Sequence, residues 1–309
     1  MRVGITGASG LIGSALALFL TGKGHEVLRL VRAQQSGPAE RDEGAPRLTT
    51  ISWDPQSGEV DRKALSSADA LVHLAGRNIA VRWTKRHRQE IWDSRVPATE
   101  KLCRTLASMP NPSRTLITAS GIGYYGDGGD KIMTEADAPG TGFLAEVSKA
   151  WEAATKPAEQ AGIRLARLRI GMVLSARGGA LKKMLLPAKL GLLGPAGSGR
   201  QWMSWIALED LVGLIVHLLN TTTARGVFNA VSPNPVQQAE FSHTLGRVLH
   251  RPSFLPMPVF AVRVLFGQMG CETLLASTRA VPAAAVASGF EFRHPILEEA
   301  LRAELASNG

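Results

Sequence analysis

A glycine-rich turn joins the first predicted strand of the chain to the first predicted helix. Its sequence, Thr6-Gly7-Ala8-Ser9-Gly10-Leu11-Ile12-Gly13, spaces three glycines as GxxGxxG. The first two glycines permit a tight turn and a close approach by a pyrophosphate, and the third lets the helix pack closely on the strand. The N–H groups that open the helix favour negative charge. We therefore predict a dinucleotide site at this turn, formed by Thr6, Gly7, Ser9, Gly10, Leu11, Ile12 and Gly13.

The residue after the second predicted strand discriminates between two dinucleotides. Proteins that bind NAD usually carry an acidic residue there, which accepts a hydrogen bond from the ribose 2′-hydroxyl. In this chain the strand from Glu26 to Val31 is followed by Arg32. A guanidinium cannot accept a hydrogen bond from a hydroxyl, but it can bind a 2′-phosphate. The sequence favours NADP as the cofactor, and the alternative is that Arg32 is simply exposed to solvent.

The glycine turn belongs to a repeating pattern of strands and helices. Strands are predicted at residues 2–6, 26–31, 48–52, 70–74, 114–119 and 165–170. Most of the intervening segments have helical periodicity. This alternation is typical of an α/β fold with a Rossmann-type doubly wound parallel sheet.

The pattern of the sequence changes after residue 175, where Gly- and Pro-rich connections alternate with short helical segments. We predict an NADP-binding domain over residues 1–175, with later segments around 205–232 packing back onto it. Residues 176–309 then form a smaller, mainly helical C-terminal substrate lobe. A polar segment from Gln34 to Pro46 is predicted to be a surface loop.

A long helix is predicted between Thr84 and Leu106. The residues that share its apolar face are Trp92, Val96, Thr99, Cys103 and Leu106. That face should lie against the sheet. The densest basic stretch of the chain, residues 82–88, lies at the start of this helix. We interpret it as a solvated helix face, or as a patch that attracts an anionic cofactor or substrate.

The composition is that of a globular protein, with 45% hydrophobic and 20% charged residues. The net charge of +9 suggests nucleic acid as a partner, but no recognisable DNA- or RNA-binding module accompanies it. Two distant cysteines, Cys103 and Cys271, suggest neither a disulfide framework nor a metal site. The sequence shows no secretory signal and no apolar run of membrane-spanning length, so we expect a cytoplasmic protein without membrane contact.

Several segments resemble the extended short-chain dehydrogenase/reductase superfamily. Besides the glycine turn, Val72-His73-Leu74-Ala75-Gly76 is similar to the segment that follows the fourth strand. More narrowly, the chain resembles the NAD-dependent epimerase-like "epimerase family" branch, which carries a C-terminal domain of unknown function (DUF1731-like). The matching segments extend over nearly the whole chain and are Trp53-Asp54-Pro55, Arg82-Trp83-Thr84, Ser94-Arg95-Val96, Trp151-Glu152 and residues 120–126, 197–206 and 229–235.

The resemblance implies roles at matching positions. The adenosine ribose would be contacted by Leu74, Ala75 and Gly76, and Ser120 would steady a substrate carbonyl or alcohol. Members normally carry Tyr-x-x-x-Lys on the helix after the fifth strand, with the tyrosine as general acid/base and the lysine on the nicotinamide ribose. Lys149 matches the lysine, but Ala145 stands in the tyrosine position. The usual proton donor is therefore missing.

Tyr124 and Tyr125, the only tyrosines in the chain, are candidates to replace that donor. One of them would donate from a loop the proton that the superfamily donates from a helix. The alternative is that both are packing or hydrogen-bonding anchors. Glu135 and Glu152 are further candidate acids, although a surface carboxylate or a salt bridge explains each as well.

In the superfamily, the segment that carries Arg200 and Trp202 faces the substrate cleft. These residues either bind an anionic or sugar-like substrate, or Trp202 merely seals the two lobes together. We hypothesise an NADP(H)-binding oxidoreductase or a nucleoside-sugar-epimerase-like enzyme that acts on a small hydroxyl or carbonyl substrate. The alternatives are a catalytically silent NADP(H)-binding regulatory or scaffold protein and, more weakly, a nucleic-acid binder. A homodimer is left open.

Overall fold

A computed structural model describes residues 1–32, 47–110 and 114–306 of the chain. The surface loop predicted from Gln34 to Pro46 lies outside the described residues. The strands are β1 (Arg2–Thr6), β2 (Glu26–Val31), β3 (Leu48–Ser52), β4 (Ala70–His73), β5 (Thr115–Gly121), β6 (Ile132–Met133), β7 (Arg164–Ile170), β8 (Met172–Leu174), β9 (Trp202–Met203), β10 (Trp205–Ala207), β11 (Gly226–Ala230), β12 (Val236–Gln237) and β13 (Arg279–Ala280).

The helices are α1 (Leu11–Gly22), α2 (Arg62–Leu65), α3 (Lys85–Asp93), α4 (Val96–Ala107), α5 (Phe143–Ala153), α6 (Lys156–Gln160), α7 (Gly179–Lys189), α8 (Leu208–Asn220), α9 (Gln238–Leu249), α10 (Val259–Gly270), α11 (Ala283–Ala287) and α12 (Leu297–Ala306). A 3-10 turn spans Ile122–Tyr125, and a π-helical turn spans Cys271–Leu275. Six of the seven strands of the central sheet agree with the predicted ones to within two residues at each end, and the seventh, β11, was not predicted as a strand.

Seven parallel strands form the central sheet in the order β11-β7-β5-β4-β1-β2-β3. Parallel neighbours cannot be joined by tight hairpins, so most connections cross over a face of the sheet, chiefly as helices. All the strands end at one edge, and the segments that follow β1, β2, β4, β5 and β7 therefore meet there. The prediction of an α/β, Rossmann-type doubly wound sheet is confirmed.

Apolar helices cover both faces of the sheet. On one face α1 buries Leu16 and Leu20, and α8 buries Leu211 and Ile215, against the same core. On the other face α4 contributes Leu106 to a second core. Residues four apart share one side of a helix, so each helix presents an apolar stripe to the sheet. Complete burial of each leucine stabilises the fold by roughly 1.5–3 kcal/mol.

The segments after β7 contribute both to the sheet and to a smaller lobe. β11 forms the edge strand next to β7, and α8 packs on α1. Around them a separate core gathers Trp205, Phe241 and Leu301 from β10, α9 and α12. The C-terminal portion is mainly helical, as predicted. Within the described residues, no helix is both long and apolar enough to cross a membrane.

The helix predicted between Thr84 and Leu106 is interrupted, and the prediction of one continuous face is wrong there. The structure has α3 and α4, separated at Ser94 and Arg95. Pro97 lies in the first turn of α4. Proline has no N–H to donate to the preceding turn, and its ring would clash with the carbonyl of residue 93 if the helix continued. The break directs the Arg95 side chain towards the segment after β4.

Candidate functional site

The glycine turn, residues 6–13, has the close packing that its sequence predicts. Gly7 has φ +68°, and a Cβ atom built on it would lie 2.9 Å from the backbone nitrogen of Ala75. A Cβ atom on Gly13 would lie 2.3 Å from the carbonyl oxygen of Gly7. Both positions therefore require glycine, because any side chain would push α1 away from β1 or from the segment after β4.

The first turn of α1 is left open towards solvent. Gly10 is its N-cap and provides no side-chain hydrogen bond, and the first turn contains no acidic residue. Facing it is a cleft of about 390 Å³, lined by Ser9, Gly10, Leu11, Ser14, Arg177, Gly178 and Gly179. The helix end and the Arg177 guanidinium both favour an anion here. Arg177 was not predicted, because it approaches the turn from a segment more than 160 residues further along the chain.

Thr6 begins a buried chain of hydrogen bonds that joins β1, β4, α4 and α5. Its Oγ1 lies 2.7 Å from His73 Nδ1, and His73 Nε2 lies 2.8 Å from Thr99 Oγ1. Trp151 Nε1 donates to the same Thr99 oxygen at 2.8 Å. Burial lowers the pKa of His73 to about 4, so the ring is neutral near pH 7. Thr6 Oγ1 also accepts from the backbone N–H of Ala75 at 3.3 Å, which fixes the segment after β4.

Arg32 directly follows β2 and is exposed. Since β2 is the neighbour of β1, Arg32 lies at the same edge of the sheet as the glycine turn. Leu74, Ala75 and Gly76 follow β4, on the other side of β1. These positions are compatible with one extended ligand lying across the ends of three adjacent strands.

A polar network occupies the ends of the next three strands. Ser120, Arg169 and Asn229 are register partners on β5, β7 and β11. Ser120 Oγ donates to Glu152 Oε1 at 2.9 Å, and Tyr125 Oη donates to Asn229 Oδ1 at 2.7 Å. We call Ser120, Tyr125, Glu152, Arg169 and Asn229 the β5–β7 network.

The centre of the β5–β7 network is a buried ion pair. Arg169 Nε and Nη2 donate to the two carboxylate oxygens of Glu152 at 2.8 and 2.9 Å. The side chains are only 3% and 12% exposed, respectively. Burial opposes the charge of Arg169, but the hydrogen bonds and charge of Glu152 outweigh it and raise the Arg169 pKa above its usual value. Arg169 was not predicted, because β7 carries two further arginines, Arg164 and Arg167, and the sequence does not show which of the three has a buried carboxylate partner.

The two tyrosines have different environments. Tyr125 is 2% exposed, and its hydroxyl also lies within hydrogen-bond distance of Thr134 O and Arg169 Nη1. Burial raises the pKa of Tyr125 above its usual value. Tyr124 is half-buried, and the Arg169 Cζ atom lies 3.4 Å from its ring centre. In the described part of the chain, the Tyr124 hydroxyl has no hydrogen-bond partner, so it is the tyrosyl oxygen left available to a ligand.

The structure does not bring Lys149 to the β5–β7 network. Lys149 is exposed on α5, whereas Ala145 and Ser148 are buried. The sheet-facing stripe of α5 passes through Ser148 and Trp151, and Lys149 lies outside it because one residue turns a helix by about 100°. Glu272 caps the start of α5 by accepting from two backbone N–H groups. Lys149 thus has no described contact with the β5–β7 network, and its role on the nicotinamide ribose stays a prediction.

Arg200 and Trp202 lie in the C-terminal lobe. Trp202 Nε1 donates to Asp130 Oδ1 at 2.8 Å, and the Arg279 Cζ atom lies 3.9 Å from a Trp202 ring centre. Arg200 is exposed. Trp202 thus joins the lobe to the loop that follows Tyr125, and no described contact joins Arg200 to the β5–β7 network. Within the described residues, no group of three or more His, Cys, Asp or Glu side chains has the arrangement of a metal site.

The parallel sheet and its glycine turn place the chain in the class of NAD(P)-binding Rossmann proteins. Residues 3–230 match the NAD dependent epimerase/dehydratase family, and residues 257–304 match a domain of unknown function (DUF1731). Because the first match covers well over half of the sequence, the chain belongs to the NAD dependent epimerase/dehydratase family. The resemblance drawn from the sequence motifs is confirmed.

Relatives match over almost the full length of the chain. An epimerase family protein of Mycobacterium bovis is 44% identical over 300 residues, which cover 97% of this chain and 96% of that protein. The chain in the crystal structure of human epimerase family protein SDR39U1 (isoform 2) with NADPH is 32% identical to this one. The two structures superpose with a TM-score of 0.86, and the match covers 100% of each chain. A nucleoside-diphosphate sugar epimerase from Corynebacterium glutamicum is 36% identical, with a TM-score of 0.78, and the match covers 99% of this chain and 58% of that one.

Proposed function

We propose that this protein binds NADP(H) and acts as an oxidoreductase or a nucleoside-sugar-epimerase-like enzyme on a small substrate with a hydroxyl or carbonyl group. The observation that carries the proposal is that the glycine turn and the β5–β7 network share one edge of the sheet. Only β4 separates β1 from β5. A ligand bound at the turn can therefore extend towards Ser120.

The residues around the turn fit an NADP-type dinucleotide. The uncapped α1 end and Arg177 would hold the pyrophosphate, and Arg32 would hold the 2′-phosphate. The human relative that was crystallised with NADPH has the same fold over its whole length, which supports this choice. Bound NADPH would supply a hydride to a carbonyl carbon, and NADP⁺ would accept one from a carbinol carbon.

The proton that accompanies the hydride would be transferred by Tyr124. Its hydroxyl is free among the described residues and follows β5 at the same edge as Ser120. Ser120 donates to Glu152 in the structure. Turned towards a substrate, the same O–H would donate to the substrate oxygen whose proton Tyr124 gives or takes. Tyr125 has a structural role in this proposal, because its hydroxyl is already bonded inside the network.

A deuteride-transfer assay tests the role of Tyr124. Wild-type protein is incubated with 4-deuterated NADPH and a panel of small aldehydes, ketones and nucleotide sugars, and deuterium in the products is measured by mass spectrometry. We expect Tyr124→Phe to lower the transfer rate by about 10²–10⁴-fold, the usual contribution of a positioned acid. Tyr125→Phe is the matched control and should retain most of the transfer. An unchanged rate in Tyr124→Phe contradicts the proposed role.

The choice of NADP is tested separately. We expect Arg32→Asp to weaken NADPH binding by about tenfold or more and to affect NADH much less, because only NADPH carries the 2′-phosphate. Titration calorimetry measures both dissociation constants. Arg62→Asp makes the same charge change at an exposed position on α2 and is the control. Equal losses for both nucleotides would contradict the assignment of Arg32.

A second candidate function is supported by the residues that α5 carries at the usual catalytic positions. Ala145 stands where the superfamily has its catalytic tyrosine, and Lys149 is exposed with no described contact to the β5–β7 network. A catalytically silent, NADP(H)-binding regulatory or scaffold protein would need neither. This alternative predicts tight NADPH binding without turnover and a protein partner whose affinity depends on nucleotide. Any NADP-dependent product formed from a metabolite pool by the wild-type protein would exclude it.

A further inference from the structure

The guanidinium of Arg95 lies between the segment after β4 and helix α5. Its Cζ atom is 5.0 Å from a ring centre of Trp151. On the opposite side, a Cβ atom built on Gly76 would come within 3.2 Å of the same Cζ atom. Trp151 precedes Glu152, the partner of Ser120. Arg95 therefore lies along the carboxyl edge of the sheet, between the glycine turn and the β5–β7 network.

The charge of Arg95 is poorly compensated. Its hydrogen bonds are long, because Nη1 lies 3.3 Å from Ile91 O and 3.4 Å from Ser94 Oγ. No carboxylate of the described residues forms an ion pair with it. Burial lowers the pKa of Arg95 to about 10, which leaves the group positive near pH 7. The site thus holds a partly buried positive charge with no negative partner.

Two other arginines show how this fold normally satisfies a buried guanidinium. Arg169 is matched by both oxygens of Glu152. Arg164 has no carboxylate either, but it donates to three backbone carbonyls at the end of α8 and in the turn that follows it. Arg95 has neither arrangement. A charge that is withdrawn from water without a partner costs stability, so Arg95 serves the fold less well than a neutral residue of its size would.

We propose that Arg95 binds a phosphate group of a ligand at the carboxyl edge. A planar guanidinium that offers parallel N–H donors suits phosphate, and the edge already attracts anions at the α1 end. Gly76 leaves the space beside the guanidinium free of a side chain. The position of Arg95 relative to bound nucleotide rests on the proposed function. The phosphate has two sources, the pyrophosphate of the dinucleotide and a phosphate of the substrate.

Binding measurements on the full chain decide between these sources. Arg95→Met removes the charge, and Arg95→Lys retains the charge without the parallel N–H donors of the guanidinium. Arg77→Met is the control, since Arg77 is exposed and paired with Glu90. The probes are NADPH, adenosine 2′-monophosphate, which lacks the pyrophosphate, and inorganic phosphate added to the free and the NADP⁺-saturated protein.

If the cofactor supplies the phosphate, Arg95→Met weakens NADPH binding by roughly 10–100-fold, the range of one charge-assisted interaction. Adenosine 2′-monophosphate then binds unchanged. If the substrate supplies it, NADPH binding stays within about twofold, and inorganic phosphate binds to the NADP⁺-saturated wild type but not to NADP⁺-saturated Arg95→Met. In both cases the affinity of Arg95→Lys for the ligand lies between that of wild type and that of Arg95→Met. Phosphate titration of the free protein decides the role of Arg95 even if the protein binds no NADPH, because Arg95→Met should bind one phosphate fewer than wild type while the site at the α1 end remains.

Thermal unfolding separates binding from a structural role. Removal of an uncompensated charge should raise the midpoint of the ligand-free Arg95→Met protein by roughly 2–4 °C. A lower midpoint, together with NADPH and phosphate binding equal to those of Arg77→Met, would show that Arg95 serves only to pack on Trp151. That result would overturn the proposal. Equal binding with a raised midpoint would overturn it as well.

Discussion

The glycine turn and the β5–β7 network lie at the same edge of one sheet, but they are built in different ways. The turn consists of backbone atoms from eight consecutive residues. The network consists of side chains from β5, the turn after it, α5, β7 and β11, so residues as distant as Ser120 and Asn229 meet. A site made of local backbone leaves a motif in the sequence, whereas a site made of distant side chains does not.

The comparison predicts that the network is more sensitive to the loss of a single side chain. In Arg169→Met the Glu152 carboxylate remains buried with only Ser120 to bond it. We expect the free energy of unfolding to fall by about 3–5 kcal/mol, the usual cost of breaking a buried ion pair. Urea unfolding followed by circular dichroism measures this loss.

Arg167→Met is the matched control for that variant. Arg167 is two residues earlier on the same strand and pairs with Glu159, which is 55% exposed. Its removal should cost about 1–2 kcal/mol, because water screens Glu159 and the hydrogen bond from Arg167 Nε to Thr155 Oγ1 is lost as well. Similar losses in the two variants would show that the Arg169–Glu152 pair is no more important to the fold than a surface contact.

This contrast explains how much the sequence could predict. Strand positions, the parallel sheet and the glycine turn follow from local periodicity and spacing, and the structure agrees with them. Ser120 and Glu152 were predicted but Arg169, which pairs with Glu152, was not, because strand order and register determine that contact. The wrong helix continuity near Arg95 has a local cause that was overlooked, namely Pro97. Lys149 was placed by motif spacing alone, which does not determine whether its side chain is exposed.

The second prediction is that the free energy of unfolding falls at low pH because of His73. His73 is bonded between Thr6 and Thr99, and burial lowers its pKa from 6.5 to about 4. In the unfolded chain the ring takes up a proton near pH 6.5, while the folded protein resists protonation. Stability is therefore complete above that pH and is lost as pH falls towards 4. The shift corresponds to about 3 kcal/mol.

Unfolding curves between pH 7 and 4.5 measure this loss. Most of the His73 loss should occur in that window, whereas the loss from carboxylates with lowered pKa, such as Glu209 and Glu298, develops chiefly at and below their ordinary pKa of 4.5. His73→Gln can hydrogen bond to both threonines but cannot gain a charge, so its stability should change much less across the same window. A pH dependence unaffected by His73→Gln would assign the acid sensitivity to other groups.

The third prediction concerns the glycine turn, the site that is built from backbone atoms. In Gly13→Ala the new Cβ atom would meet the Gly7 carbonyl oxygen at 2.3 Å, so α1 must move away from the turn. We expect a loss of about 2 kcal/mol in stability and a severe loss of NADPH affinity. Gly22→Ala lies at the other end of α1, where a Cβ atom meets nothing within 4 Å. It should be neutral or slightly stabilising. Equal NADPH binding by both variants would remove the turn from the proposed site.

The smallest change in the free energy of unfolding is expected from the two tyrosines, one of which is proposed to be structural and the other catalytic. Tyr125→Phe leaves Asn229 Oδ1 and Arg169 Nη1 short of a partner inside the protein, so stability should fall by about 1 kcal/mol. Tyr124→Phe removes a hydroxyl that bonds to nothing among the described residues, so stability should stay within about 0.5 kcal/mol of wild type. If Tyr124→Phe is the more destabilised variant, its hydroxyl is structural and the proton donor must be sought elsewhere, because a group retained for chemistry contributes little to the fold.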